Sequence, residues 1–240
     1  MGEFAGSTGK IHYGQWAPAE PRGLVLFFHG LGEHIGSYDP LFEALTGAGF
    51  AVWAPDQLGH GRSEGTRVLI ESVDDLLADA ATLLDLAVAA HPGLPLVLAG
   101  HSLGSAVAAL LAAERLRPTG VHPAGVVLCA SSLVPVPAVE ASLQALIDSG
   151  MDLMALRKDP GEMTRHTAYA QQIREDPLTW QGGIRRETLR ALAEGRARLG
   201  AVVEAGTLDV PVLLLHGEED DLARCRARTP PPRGCRTPAR

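Results

Sequence analysis

Five short apolar runs punctuate the chain, at residues 24–28, 50–54, 96–99, 125–129 and 210–215. Most of them lack the in–out alternation of a half-exposed strand, which is the pattern of parallel strands covered on both faces. Residues 10–16 carry a weaker strand pattern and fit an antiparallel edge. The clearest helical stretch is 73–90. There Val73, Leu76, Leu77, Ala80, Leu83, Leu84, Ala87 and Val88 share one face, while Asp74, Asp75, Asp79 and Asp85 fall largely elsewhere. Ser72 with Asp75 three residues on forms an N-cap pair, and His91-Pro92-Gly93 ends the helix. Strands alternating with helices predict an α/β protein with a mostly parallel sheet flanked by helices.

The alternation breaks twice. Between 131 and 207 there are prolines (Pro135, Pro137), short amphipathic pieces such as 139–147, and many charges, but no buried-strand run. An insertion of this size between two sheet strands reads as a helical cap. The expected organisation is therefore 1–130 as the first part of the core, 131–207 as the cap, and 208–222 as a last core strand with its loop. Residues 223–240 form a tail with six arginines, four prolines and two cysteines, and without Asp, Glu, Val, Ile, Leu or Phe. Such a segment supplies neither strand nor packed helix. It reads as a shifted reading frame or cloning scar in preference to a genuine basic tail.

Composition narrows the partners. The net charge is −7, and removing the tail's six positive charges takes the body to −13, which argues against nucleic acid. No early apolar stretch resembles a signal peptide and no run is long enough to span a bilayer, so the expected location is cytoplasmic. Cys129, Cys225 and Cys235 form no C-x-x-C pair, so neither a zinc site nor a disulfide framework is expected. Cys129 lies in an apolar run and is read as packing.

Gly100-His101-Ser102-Leu103-Gly104 follows the run at 96–99 and opens the alanine-rich stretch 105–116. Strand, sharp turn and helix with a serine at the apex is the context of the G-x-S-x-G nucleophile motif. Gly100 and Gly104 are needed because side chains there would strike the neighbouring strand or helix. Ser102 is thus the candidate nucleophile, and the Leu103 N–H a candidate oxyanion donor. His29-Gly30-Leu31-Gly32 follows the first buried strand and offers the Leu31 N–H as the second donor, with Gly30 and Gly32 letting backbone approach a substrate oxygen. The loop after the last strand, 216–221, is rich in acid. Asp220 is the chosen orienting acid, with Glu219 and Asp221 close alternatives. The base is the difficulty. The expected order is Ser, then acid, then His, and no histidine follows His216. His29 and His34 share the oxyanion loop, His101 should point away from Ser102, and His216 ends a strand.

These residues carry a specific resemblance. The chain from about residue 11 to 222 resembles the monoacylglycerol lipase and lysophospholipase branch of the α/β-hydrolases. The carrying segments are His29-Gly-Leu-Gly-Glu-His34, Asp56-Gln-Leu-Gly-His60-Gly-Arg-Ser63-Glu-Gly65, the Ser102 elbow (with Ser105 where glycine is common), Asp176-Pro177-Leu178, and Leu214-Leu-His-Gly-Glu-Glu-Asp220. The resemblance implies an α/β-hydrolase fold with a helical cap, and hydrolysis of acylglycerol or lysophospholipid-like esters through an acyl-serine intermediate. It places Asp220 as the triad acid and implies no metal or organic cofactor. The expected partner is a small ester or lipid. Cap contact with a lipid surface is open, though the periodicity is too weak to assign membrane binding. Relatives of this type continue into a further strand, a catalytic histidine and a closing helix. The tail stands in their place, so impaired catalysis is expected, and a truncated, inactive relative is the alternative. A more distant rival is a dinucleotide-binding oxidoreductase. Gly30, Gly32 and Gly36 followed by Asp56 mimic its fingerprint, but with one residue too many in the glycine spacing.

Overall fold

The computed structural model describes residues 1–119, 121–131, 137–157, 159–218 and 220. The stretch 223–240, with Pro135, Glu219 and Asp221, lies outside the described residues. Seven strands form one sheet: β1 (Gly2–Ala5), β2 (Lys10–Trp16), β3 (Gly23–Phe28), β4 (Phe50–Pro55), β5 (Leu96–His101), β6 (Gly125–Cys129) and β7 (Val212–Leu215). Their spatial order is β1-β2-β4-β3-β5-β6-β7. From β4 to β7 every pairing is parallel, while β1 and β2 add on antiparallel.

The five apolar runs are all strands, and their burial follows their place in the sheet. β3, flanked by β4 and β5, is buried at all six positions. Its side chains alternate between two cores. Leu24, Leu26 and Phe28 join the larger one, while Val25 and Phe27 meet Phe42 in the smaller. Phe42 belongs to α1 (Asp39–Gly47). The larger core is closed by α2 (Val73–Ala90), α3 (Leu103–Leu110), a π-helical turn continuing α3 (Leu111–Leu116), and α7 (Arg186–Glu204). β7 departs from the expectation of a buried strand. Its Val212 and Leu214 pack on the larger core, but Leu213 and Leu215 are 36% and 41% exposed. It starts at Val212 and not at 210, with Pro211, which has no N–H to donate, just before it.

Two further expectations are corrected, and they share one cause. Residues 10–16 form an antiparallel strand, but the edge is β1, in a segment for which no strand was expected. β1 holds its place partly through Phe4, whose ring lies 6.1 Å from that of Tyr13. The turn after β1 covers Asp79, which is therefore buried and accepts the Ser7 N–H at 2.6 Å. At the start of α2, Ser72 Oγ accepts the Asp74 N–H at 3.1 Å, a side-chain cap one residue earlier than the predicted partner.

Between β6 and β7 lie α4 (Pro137–Asp148), α5 (Pro160–Met163), α6 (Thr167–Glu175) and α7. Ile147, Leu153 and Leu189 make a small core of their own there. α7 serves both layers, since its Ala191, Leu199 and Val202 belong to the larger core. No helix among the described residues is long and apolar enough to cross a membrane.

Candidate active site

β5 delivers Ser102 to the end of the sheet. Its register runs His101 opposite Cys129, and Cys129 opposite Leu215, so the ends of three adjacent strands stand level. Ser102 N–H donates to Cys129 O at 2.9 Å, which turns the chain sharply. The serine is exposed and sits at φ 51°, ψ −116°, a left-handed conformation that costs about 1–3 kcal/mol for a non-glycine residue. The surroundings enforce it. A Cβ on Gly100 would come within 2.2 Å of Gly104 C, and one on Gly104 within 2.0 Å of Phe28 O. Only glycine lets α3 settle so close to β3, and this contact brings Phe28-His29 against the elbow. Ser105 does what glycine cannot: its hydroxyl lies 2.7 Å from Gly100 O and 2.9 Å from Cys129 O, tying the helix start to β5 and β6.

Two backbone N–H groups are the candidate donors. Leu103 is the first residue of α3, so no carbonyl lies a turn before it to take its N–H, and the positive end of the helix dipole sits there. Among the described residues no hydrogen bond engages the N–H of Leu31. Its two neighbours are both fixed: Gly30 N–H donates to Glu33 Oε2 at 2.8 Å, and Gly32 O accepts the Trp180 N–H at 2.8 Å.

His29 is fully buried, and both its nitrogens are spoken for. Nε2 accepts the Gln57 N–H at 2.9 Å, so the proton is on Nδ1, which donates to Gly30 O at 2.7 Å. Burial holds its pKa below the usual imidazole range. His34 is likewise engaged, with Nδ1 accepting the Gly36 N–H at 3.2 Å and Nε2 2.7 Å from Asp176 Oδ2. Neither has a ring nitrogen left over for Ser102. The structure thus makes both loop histidines scaffold.

Beneath the elbow lies a cluster that the sequence reading missed. Glu33 Oε2 accepts from Gly30 N–H, the Tyr38 hydroxyl and His101 Nδ1, the last at 3.0 Å, and Tyr38 Oη is 2.8 Å from the same His101 nitrogen. Burial alone would raise the Glu33 pKa, but the hydrogen bond and charge of His101, with Tyr38, bring it down to about 2. Burial likewise works against the charged form of His101, yet the hydrogen bond and charge of Glu33 raise its pKa overall. His101, next to Ser102 in sequence, turns its Nδ1 into this ion pair, away from the serine as expected. The available signal was the acid at the fifth position of His29-Gly-Leu-Gly-Glu.

The Asp56–Gly65 segment folds around buried Asp56. Its Oδ1 accepts the Ile35 N–H and its Oδ2 the Arg62 N–H, both at 2.8 Å. It is a brace behind the 29–38 loop. On the other side of the site, Asp220 Oδ2 lies 3.4 Å from His216 Nε2, and both residues are partly buried at the end of β7. A cavity of about 280 Å³ opens between Gly32, His60, Arg67 and residues 177–182. It borders the Leu31 loop through Gly32, and neither Ser102 nor Leu103 lines it. The glycine pattern gives no dinucleotide site. The Glu33 carboxylate occupies the space a Cβ on Gly30 would need, 2.6 Å from Oε2, and would repel a pyrophosphate.

Comparison with known proteins gives a consistent answer. The family model described as Serine aminopeptidase, S33 matches residues 19–229. A monoacylglycerol lipase of Mycolicibacterium smegmatis is 32% identical over 228 residues, covering 91% of this chain and 78% of the relative. The monoglyceride lipase of Homo sapiens is 33% identical over 217 residues, covering 86% and 68%. Among solved structures, the Paleococcus ferrophilus monoacylglycerol lipase superposes with a TM-score of 0.65 at 29% identity, over 86% of this chain and 77% of that one. A monoglyceride lipase from Saccharomyces cerevisiae reaches a TM-score of 0.70 at 19% identity over 90% and 76%, a likeness of fold.

Proposed function

The chain belongs to the serine aminopeptidase S33 family, on the monoacylglycerol lipase-like branch of the α/β-hydrolases, and from that premise we propose a serine ester hydrolase acting on acylglycerol-type carboxylic esters. The observation that carries the reading is the seat of Ser102. It is an exposed serine held at φ 51° between a buried strand and a helix N-terminus, with the Leu31 loop packed against it through Gly104. In this reading Ser102 attacks the ester carbonyl, and its proton passes to a base. The N–H groups of Leu31 and Leu103 hold the tetrahedral oxyanion; removing one such donor typically costs about 10²–10³ in turnover. The alcohol leaves, and water releases the acid from the acyl-serine. Asp220 orients the base, and helices α4 to α6 act as the cap over the acyl chain. The Asp220–His216 contact supports an acid already aimed at an imidazole.

The histidines of the 29–34 loop are held by other partners. His29 and His34 have both ring nitrogens engaged elsewhere, and His101 turns its Nδ1 into the Glu33 pair. Loss of the base in a comparable enzyme lowers turnover by about 10⁶. The engagement of these histidines supports a second reading, a family member that binds esters and turns them over poorly. The test is hydrolysis of short- and medium-chain p-nitrophenyl esters by the purified 240-residue chain beside Ser102→Ala. Activity abolished by the substitution supports the first reading. Equal, near-background rates in a folded sample support the second.

A further inference from the structure

The Leu31 N–H is held from a distance, and the holder is a carboxylate in the inserted segment. Gly32 adopts φ +79°, which aims its carbonyl at the Trp180 N–H, and a Cβ on Gly32 would meet Trp180 Cβ at 3.3 Å. Two residues further on, His34 is 5% exposed and reaches Asp176 at 2.7 Å. Because His34 Nδ1 accepts the Gly36 N–H, its proton sits on Nε2 and is donated to Asp176 Oδ2. Asp176 also shapes its own turn. Its Oδ1 accepts the Leu178 N–H at 2.8 Å, and its carbonyl accepts the Thr179 N–H at 3.2 Å. The next residue in that turn is Trp180. One side chain therefore grips the 29–34 loop directly through His34 and also builds the turn whose last amide caps Gly32.

We propose that Asp176 is a positioning residue: it fastens the inserted segment to the 29–34 loop and so fixes the Leu31 N–H where an oxyanion forms. This rests on the assignment of Leu31 as an oxyanion donor. The two contacts share one side chain, since removing the Asp176 carboxylate breaks both the His34 bond and the Leu178 bond that shapes the turn holding Gly32. A donor displaced by an ångström loses much of its effect on a developing charge, and shifts of that size cost up to about 10²-fold in rate.

The experiment is hydrogen exchange by mass spectrometry on the 240-residue chain and on Asp176→Ala, His34→Ala and His34→Gln, with the rate of Ser102 phosphonylation by a fluorophosphonate probe measured in parallel. Glutamine keeps an N–H donor near the place of Nε2. Asp176→Ala and His34→Ala are expected to speed exchange about tenfold in both 29–34 and 176–182 while leaving 76–87 of α2 unchanged. They are expected to slow phosphonylation about ten- to a hundredfold, with His34→Gln within about threefold of the parent. Unchanged exchange at 29–34 in Asp176→Ala would overturn the proposal, as would faster exchange everywhere, α2 included. If the parent labels no faster than Ser102→Ala, the serine reading fails on its own, and the exchange at 29–34 still decides whether Asp176 holds the loop.

Discussion

β5 and β7 run parallel two positions apart in one sheet, and each ends beside a candidate catalytic side chain, yet they are built differently. β5 has strands on both sides, apolar layers on both faces, and a turn in which two glycines are pressed to 2.0–2.2 Å of backbone. β7 has a described neighbour on one side only, two of its four residues more than a third exposed, and a following Gly217 at which a Cβ would meet Asp220 no closer than 3.8 Å. The difference shows where the fold places its rigidity. The candidate nucleophile and its candidate donors sit at the centre, where packing over-determines geometry. The candidate acid, Asp220, sits at the margin of the described sheet, where its N–H donates to Gly217 O at 3.2 Å.

The largest contrast should come from one substitution made at both ends. Gly104→Ala puts a Cβ 2.0 Å from Phe28 O, with only backbone to move. It is expected to cost more than about 4 kcal/mol, enough to unfold a marginal domain. Gly217→Ala meets nothing closer than Asp220 Cβ at 3.8 Å and should stay within about 0.5 kcal/mol of the parent. Urea denaturation of both proteins checks this. A Gly104→Ala protein within 1 kcal/mol of the parent would mean that the elbow yields and the contrast is false.

A core truncation gives the next largest separation. Phe28 is fully buried at the end of β3, and Phe28→Ala should cost about 3–5 kcal/mol through lost burial and an incompletely closed cavity. Leu215→Ala, at a side chain 41% exposed, should cost less than about 1 kcal/mol. Comparable losses in the two would show that something outside the described residues covers β7.

Much of this was legible in the chain. Uninterrupted apolar runs marked the strands because a central parallel strand has no solvent face, and the same logic overstated β7, whose exposure depends on what lies beside it. The helix 73–90 was readable from period and caps alone, but Asp79 was not. Its burial depends on β1, a four-residue strand too short to carry a pattern. At the site, Ser102, Gly100 and Gly104 follow from local turn geometry, so sequence suffices. The engagement of His29 by Gln57, of His34 by Asp176 and of His101 by Glu33 spans 28, 142 and 68 residues respectively. No spacing rule reaches that far, which is why the partners of these histidines were not readable, although His101 turns away from Ser102 as its place before the serine implies.

The smallest effect concerns the two histidine–carboxylate pairs, one at each end of the comparison. Glu33 titrates at about 2 against 4.5 when free, so its share of stability is complete above about pH 4.5 and is lost as pH falls toward 2. His101 is raised above 6.5, so its share is complete below that value and is lost as pH climbs through the raised one. The pair therefore stabilises most between roughly pH 4.5 and 6.5. Glu33→Gln should remove that maximum, lowering stability there by about 1 kcal/mol, a modest figure because a third of the imidazole meets solvent. At the other end, His216 Nε2 and Asp220 Oδ2 are 3.4 Å apart, beyond the 3.0 Å of the Glu33–His101 pair. His216→Gln should therefore change stability by less than about 0.5 kcal/mol across the same range. Urea midpoints measured from pH 4 to 9 for both variants decide the matter. A larger pH-dependent loss in His216→Gln would place the stronger electrostatic anchor at the sheet margin and reverse the comparison.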